Sequence, residues 1–381
     1  MHQIYSEQVD ASAAKHNYGV DSIKIISMFM VVVLHVLGQG GILNAVVFGT
    51  PNYYISWCME IGTFCAVNCF ALTSGYLSID KVVRFSKIIL LWLQVAVYSI
   101  GITLLFWLIR PDSVNVQQVI HSIFPVLNSS YWYFTAYFGL FFFTPFLNKI
   151  FDCFDQLIMI KLIATIFILL SVLPLFTTKN LFQLSQGYSM IWLCALYMIG
   201  GYIKKYGVLP KLRKLNFVLY LLSISFVCLS KFVMESISAA LGCQSCNSLL
   251  FVSYTSPFIL LASVFLFLFF SRIDFKTAIS RKIVTFFAPI SFGVYLIHTH
   301  PFVWNDLLID RFANYSALSP YFLIAFVLLT AISIFISCSL VDFFRKKIFS
   351  LFRIPDFSIY IEHQCSKALF RLLKITTREK H

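Results

Sequence analysis

Apolar residues run along this chain in ten long blocks, near 22–40, 54–77, 87–109, 131–151, 157–176, 187–203, 216–235, 249–271, 284–304 and 319–341. Each is close to the roughly 20 residues that a helix needs to cross a hydrocarbon core. Barrel strands would be only about 10 residues long with alternating polarity, so that architecture is excluded. The pattern predicts an all-α polytopic membrane protein with about 10 transmembrane helices. It divides the chain into an N-terminal segment, 1–20, a transmembrane domain, 21–341, and a tail, 342–381. In the tail, Phe343, Phe344, Ile348, Leu351, Phe352, Leu369, Phe370, Leu372 and Leu373 alternate with basic residues. That alternation predicts amphipathic helices lying on a membrane surface. No internal repeat is evident, which weighs against an inverted-repeat transporter.

Composition agrees with the pattern. Hydrophobic residues make up 59% of the 381 and charged residues 12%, where soluble domains carry about 25%. Mean hydropathy is +0.84. Charge then sets orientation. With the N-terminus inside, 25 of the 29 Lys and Arg residues fall on the inner side, and only Arg110, Lys179, Lys231 and Arg311 on the outer. This split predicts an even number of spans with both termini cytoplasmic. The net charge of +13 therefore reads as topology and contact with anionic lipid, not as nucleic-acid binding. The first 20 residues contain Glu7 and Asp10 and no apolar core, so the first span is expected to act as the targeting signal.

Seven cysteines, Cys58, Cys65, Cys69, Cys153, Cys194, Cys228 and Cys338, lie in or beside apolar blocks, where they behave as small apolar residues. Cys243 and Cys246 form a CxxC in an expected outer loop. An outer-loop disulfide and free thiols both fit it, and no further ligands lie nearby to complete a zinc site. No metal is expected.

The polar exceptions carry the chemistry, because an ionisable side chain inside a span is costly. Lys24 and His35 are eleven residues apart in the first block. At about 100° and 1.5 Å per residue they share one helix face, about 16 Å apart along the axis. His35, Glu60, His298 and His300 fall at a similar depth, toward the outer side, with Tyr131, Trp132 and Tyr133 beside them. An imidazole near a carboxylate makes a general base, since the carboxylate fixes the tautomer. A core histidine, an interfacial glutamate and an aromatic belt account for the same residues without chemistry. At the inner face, Lys24, Arg84 and Lys87 form a cluster suited to a phosphate-rich ligand, although positive-inside topology alone also places cations there. Asn68 and Ser74 read as interhelical hydrogen-bonding groups.

The order and spacing of several short stretches now matter. Asp21, Lys24 and His35 stand in the first helix. Val67-Asn68-Cys69-Phe70 with Ser74-Gly75-Tyr76 and Arg84 follow in and after the second. Tyr131-Trp132-Tyr133 with Tyr137, Pro145 and Asn148 stand in the fourth, and Gly187-Tyr188 with Trp192, Tyr197, Gly200 and Tyr202 in the sixth. Ser291, Gly293 and Tyr295-Leu-Ile-His298 stand in the ninth. With these, the chain resembles the membrane-bound acyltransferase-3 family of bacterial O-acetyltransferases over about residues 17–345. Lys24 stands where that family usually has Arg, and Lys keeps the charge but not the bidentate geometry.

The resemblance implies that acetyl-CoA binds from the cytosol and that its acetyl group reaches a hydroxyl of a cell-surface polysaccharide or lipid-linked sugar. In that reading Lys24, Arg84 and Lys87 hold the coenzyme phosphates. His35 is general base or, alternatively, acyl carrier, and Glu60 orients it. Asn68, Ser74, Tyr131, Trp132, Tyr133 and His298 line the substrate side, with Asn68, Ser74 and Tyr133 as candidate oxyanion donors. The expected location is the bacterial cytoplasmic membrane, with lipids as neighbours and no nucleic acid. Two alternatives remain at this stage: a proton-coupled transporter or flippase of a glycan or lipid intermediate, and an acetyltransferase for a small metabolite.

Overall fold

The computed structural model describes residues 16–208, 210–242 and 247–378. Cys243 and Cys246 lie outside them, as does most of the N-terminal segment. The side chains of Leu369, Phe370, Leu372 and Leu373 are likewise outside the description.

Among the described residues every regular element is helical. In chain order these are α1 (Tyr18–Leu37), α2 (Ile42–Ala45), α3 (Pro51–Thr63), α4 (Ala66–Ser78), α5 (Phe85–Ile109), α6 (Val116–Ile123), α7 (Trp132–Cys153) and α8 (Gln156–Phe167). There follow α9 (Met190–Tyr206), α10 (Asn216–Leu241), α11 (Pro257–Ser271), α12 (Ala278–Phe287), α13 (Ser291–His298), α14 (Pro301–Val303), α15 (Pro320–Leu351) and α16 (Ile354–Arg378).

Among the described residues, six helical stretches are long and apolar enough to cross a membrane, and up to seven if the bent pair α12–α13 counts as one span. The expected ten apolar blocks all carry helix, but ten spans are not reached on these criteria. The shortfall has local causes. Helix α11 has only 15 residues and α9 only 17. Helix α7 is 22 residues long, but Asn148, Lys149 and Asp152 make its second half polar. The chain is nonetheless a multi-pass membrane protein.

Breaks in the spans are paired rather than left open, as hydrocarbon requires. Between α3 and α4 the freed carbonyl of Gly62 accepts from the Tyr220 hydroxyl at 2.7 Å. Between α12 and α13 the chain bends by 40°, and Ser291 Oγ returns a hydrogen bond to the Ala288 carbonyl at 2.9 Å.

Helix α1 runs through the middle of the bundle, with contacts to α3, α4, α11, α12, α13 and α15. It starts at Asn17, whose side chain accepts from Val20 N, a standard N-cap that satisfies one orphan amide. Helices α4 and α9 pack closely, because Gly200 lets the α9 backbone meet the Leu72 carbonyl, the close approach that small residues permit in membranes. Beyond residue 341 there is no break: α15 continues to Leu351. Helix α16 then folds back onto α5, where Glu362 accepts from the Phe85 amide at 2.7 Å. That carboxylate caps a helix start whose own N-cap, Arg84, offers no side-chain acceptor. Its pKa is held below the usual value: burial works against this, but hydrogen bonds from Ser86 and the Phe85 and Ser86 amides outweigh it.

Candidate active site

His35 lies in the last turn of α1 and His298 in the last turn of α13. Their rings meet, with His35 Nδ1 2.8 Å from His298 Nε2. His298 Nδ1 is in turn 2.6 Å from the Val294 carbonyl, one turn back on its own helix. A carbonyl oxygen only accepts, so His298 Nδ1 must carry the proton. The neutral ring then has an unprotonated Nε2, which accepts from His35 Nδ1–H. By the same logic His35 Nε2 holds a free lone pair. A backbone carbonyl thus fixes two tautomers in series. The Trp304 ring stands edge-on to His35, with centroids 4.8 Å apart.

His35 opens into a cavity of about 190 Å³. Its walls include Phe70 of α4, Trp132 and Tyr133 of α7, Tyr254 before α11, and Tyr295 of α13. Tyr133 is placed by its backbone, whose amide donates to the Tyr295 hydroxyl at 3.2 Å. Helix α13 is held from behind. Gly293 presses against the Asp342 carboxylate of α15, with no room for a Cβ.

A second cavity, about 250 Å³, opens at the basic end of the bundle. Lys81, Arg84 and Lys87 line it together with Tyr137, Thr144 and Tyr197. Among the described residues no carboxylate lines it. The Lys81 ammonium is pushed below its ordinary pKa, first by burial and then by Lys87, Lys24 and Lys204, with Asp80 opposing. The site therefore holds uncompensated positive potential. The two cavities share a boundary on α7. Tyr133 faces one and Tyr137, one turn on, faces the other. Their rings lie nearly parallel, 15° apart, with centroids at 6.4 Å.

The remaining expected site residues divide. Trp132 and Tyr133 are in the His35 cavity, and Arg84 and Lys87 are in the basic one. Lys24 lines neither and is ion-paired with Asp21 at 2.7 Å. His298 is the ring bonded to His35 rather than a wall of the cavity. Glu60 makes no hydrogen bond to His35, and its Oε2 has no partner. His298 occupies the Nδ1 position that an orienting carboxylate would take. Asn68 is committed to structure: its amide donates to the Tyr254 carbonyl at 2.9 Å and accepts from Trp192 Nε1 at 3.0 Å. It does not line the His35 cavity. Ser74 bonds back to the Phe70 carbonyl at 3.3 Å and does not reach the His35 cavity. Tyr131 is buried against Tyr295 and outside that cavity. His300 is structural, with Nε2 donating to the Ser99 carbonyl at 3.1 Å.

Sequence reasoning missed Asp342. It is fully buried and accepts from Tyr98 at 2.6 Å, Gln94 at 3.1 Å and both arms of Arg345. A lone aspartate directly after an apolar block was the available signal. Lys231, assigned to the outer side by charge counting, is 1% exposed. It pairs with Glu235 and donates to the Tyr53 hydroxyl at 2.8 Å. No three His, Cys, Asp or Glu side chains converge as a metal site requires, among the described residues.

A family model described as an acyltransferase domain matches residues 17–338. No curated protein and no solved structure matches the chain.

Proposed function

The chain belongs to the acyltransferase-3 family, and from that premise we propose that it transfers an acetyl group from cytosolic acetyl-CoA to a hydroxyl of a cell-surface polysaccharide or lipid-linked sugar, across the bacterial cytoplasmic membrane. The observation that carries this reading is the open lone pair on His35 Nε2, left free by the Val294–His298 chain of hydrogen bonds.

In this mechanism His35 Nε2 takes the proton of the acceptor hydroxyl as its oxygen attacks the thioester carbonyl. The new C–O bond forms and the carbonyl electrons move onto oxygen. Collapse of that intermediate breaks the C–S bond, and the leaving thiolate takes the proton from His35. The imidazolium formed in between keeps its Nδ1–H bond to His298, whose own Nδ1–H remains held by Val294. The oxyanion needs a donor aimed at it. Asn68 and Ser74 do not line the His35 cavity, and Tyr133 is the expected candidate that does. Arg84, Lys87 and Lys81 suit the coenzyme phosphates, since charge-assisted hydrogen bonds to phosphate are strong. Lys24 would add to that potential without direct contact. The acyl arm would then pass the Tyr133–Tyr137 stack to reach His35.

The test is ester-linked acetate on surface glycans in cells with wild type, His35→Ala or no protein, at matched expression. Acetate with wild type alone supports the reading. Equal acetate with wild type and His35→Ala keeps the enzyme and removes His35 as the base. No acetate above the null strain removes these glycans as acceptors.

A further inference from the structure

Another cavity lies outside the machinery described so far. It measures about 600 Å³ and is enclosed by residues 171–186 and 247–256. Small-molecule sites span roughly 300–1,000 Å³ and are usually apolar with few polar groups. This one sets several polar groups among apolar walls that include Leu175, Leu184, Leu249 and Val252. Thr177, Ser253, Ser256, Asn180, Gln186 and Asn247 are among its lining residues, and Lys179 is its single charged residue among the described residues.

Three observations show a built surface. Asn180 accepts from the Ser185 amide at 2.7 Å and donates to Ser185 Oγ at 3.2 Å. That clamp holds a loop in which Phe182, Gln183, Ser185 and Gln186 all have positive φ, between 47° and 56°, a conformation that persists only where surroundings fix it. Ser171 ties the loop side to the other wall by donating to the Thr255 carbonyl at 2.6 Å. Finally, Ser256 is 1% exposed, and its hydroxyl has no protein partner. A buried hydroxyl without a partner is costly.

The cavity is also next to the chemistry. Gln186 and Thr255 line it, while Tyr188 and Tyr254 line the His35 cavity. One aromatic layer separates the two: Tyr188 and Tyr254 lie 5.1 Å apart by centroids, and Trp132 stacks on Tyr254 at 20°. Glu60, whose Oε2 has no partner, is within electrostatic reach of both tyrosines.

We infer that this cavity seats the acceptor as a neutral or acidic saccharide. Its ring hydroxyls bond the Ser256, Asn247 and Gln186 groups, and one hydroxyl passes the aromatic layer toward His35. Hydroxyl- and amide-bearing residues set among apolar ones match a sugar, whose edges are polar and whose ring faces are apolar. A cationic ligand is disfavoured, because Lys179 is the only charged residue lining the cavity among the described residues. The assignment rests on the acyl-transfer reading.

Two measurements on nanodisc-embedded protein separate the claims. The probe is envelope polysaccharide of the host strain, delipidated and stripped of esters with base. Its binding to His35→Ala protein reads the cavity without turnover, and coenzyme A release from acetyl-CoA reads the reaction. Ser256→Ala is the informative variant, since its hydroxyl bonds nothing in the protein and does not cap α11. Expected are a thermal midpoint no lower than that of the wild type, an unchanged donor KM and a rise in acceptor half-saturation of about threefold to tenfold, as loss of one hydrogen bond gives. Gln186→Ala should add to it. Unchanged acceptor half-saturation, a rise in donor KM instead, or no polysaccharide binding by the His35→Ala protein overturns the site. Binding that weakens in Ser256→Ala while the wild type releases no coenzyme A keeps the site and overturns the acyl-transfer reading.

Discussion

The imidazole of His298 holds that of His35 from 2.8 Å away, and it is itself anchored to the Val294 carbonyl at 2.6 Å. This places a neutral ring where a carboxylate would orient a general base in many hydrolases. The orienting force is a backbone dipole, passed through one ring.

Removing that ring should therefore cost rate rather than binding. His298→Ala frees His35 to adopt the wrong tautomer, and we expect kcat to fall on the order of 10²-fold, within the usual range for general-base catalysis. Donor KM should hold within about a factor of two. Steady-state coenzyme A release at matched protein levels checks this. A kcat within a factor of about three of wild type would sink the relay.

Donor affinity should depend on the basic cavity. Arg84→Ala is expected to raise acetyl-CoA KM by about tenfold with little change in kcat, since one charge-assisted hydrogen bond is worth about 1.5–3 kcal/mol. Lys81 adds a pH signature. Its pKa is depressed in the free protein by burial and neighbouring lysines, and a bound phosphate would raise it again. Binding at alkaline pH should thus take up a proton, and Lys81→Met should abolish the uptake. Calorimetry in buffers of different ionisation enthalpy reads it directly; equal uptake in Lys81→Met would refute the assignment.

The stacked Tyr133–Tyr137 pair should select what passes between the cavities. Tyr137→Ala opens the boundary, so the rate with hexanoyl-CoA relative to acetyl-CoA should rise by about tenfold, the scale of a few buried methylenes. Tyr137→Phe keeps the ring and should leave the ratio unchanged. A ratio that stays put in Tyr137→Ala would mean that the acyl arm takes another route.

Stability should hinge on Asp342. Asp342→Ala leaves Arg345 with a lost bidentate partner in a part-buried setting, and breaking a buried pair costs about 3–5 kcal/mol. A clear drop in the thermal midpoint in detergent is expected. Gly293→Ala should act at the same contact, by forcing its methyl into that carboxylate. Midpoints matching wild type in both variants would contradict this account of how α13 is held.

Much of this was legible along the chain. The apolar blocks carry their helical nature locally, because hydrocarbon leaves the backbone little other choice. His35 stood out because an ionisable group inside such a block is rare, and Arg84 and Lys87 because charge gathers at one end. Asn68 shows the limit. Its polarity in an apolar block was visible, but the partners of its amide, Tyr254 and Trp192, are 186 and 124 residues away. Glu60 shows it again, since a shared depth does not make two helices face each other.

The sequence by itself determined a helical multi-pass membrane protein, its family and its prime candidate base, since these rest on hydropathy, spacing and residue type. Only the tertiary structure decided which nitrogen of His35 is free. That depends on a ring 263 residues away, on the carbonyl behind it, and on the 40° bend that sets the direction of α13. Tautomer and cavity shape are properties of contacts between distant segments, and no local pattern encodes them.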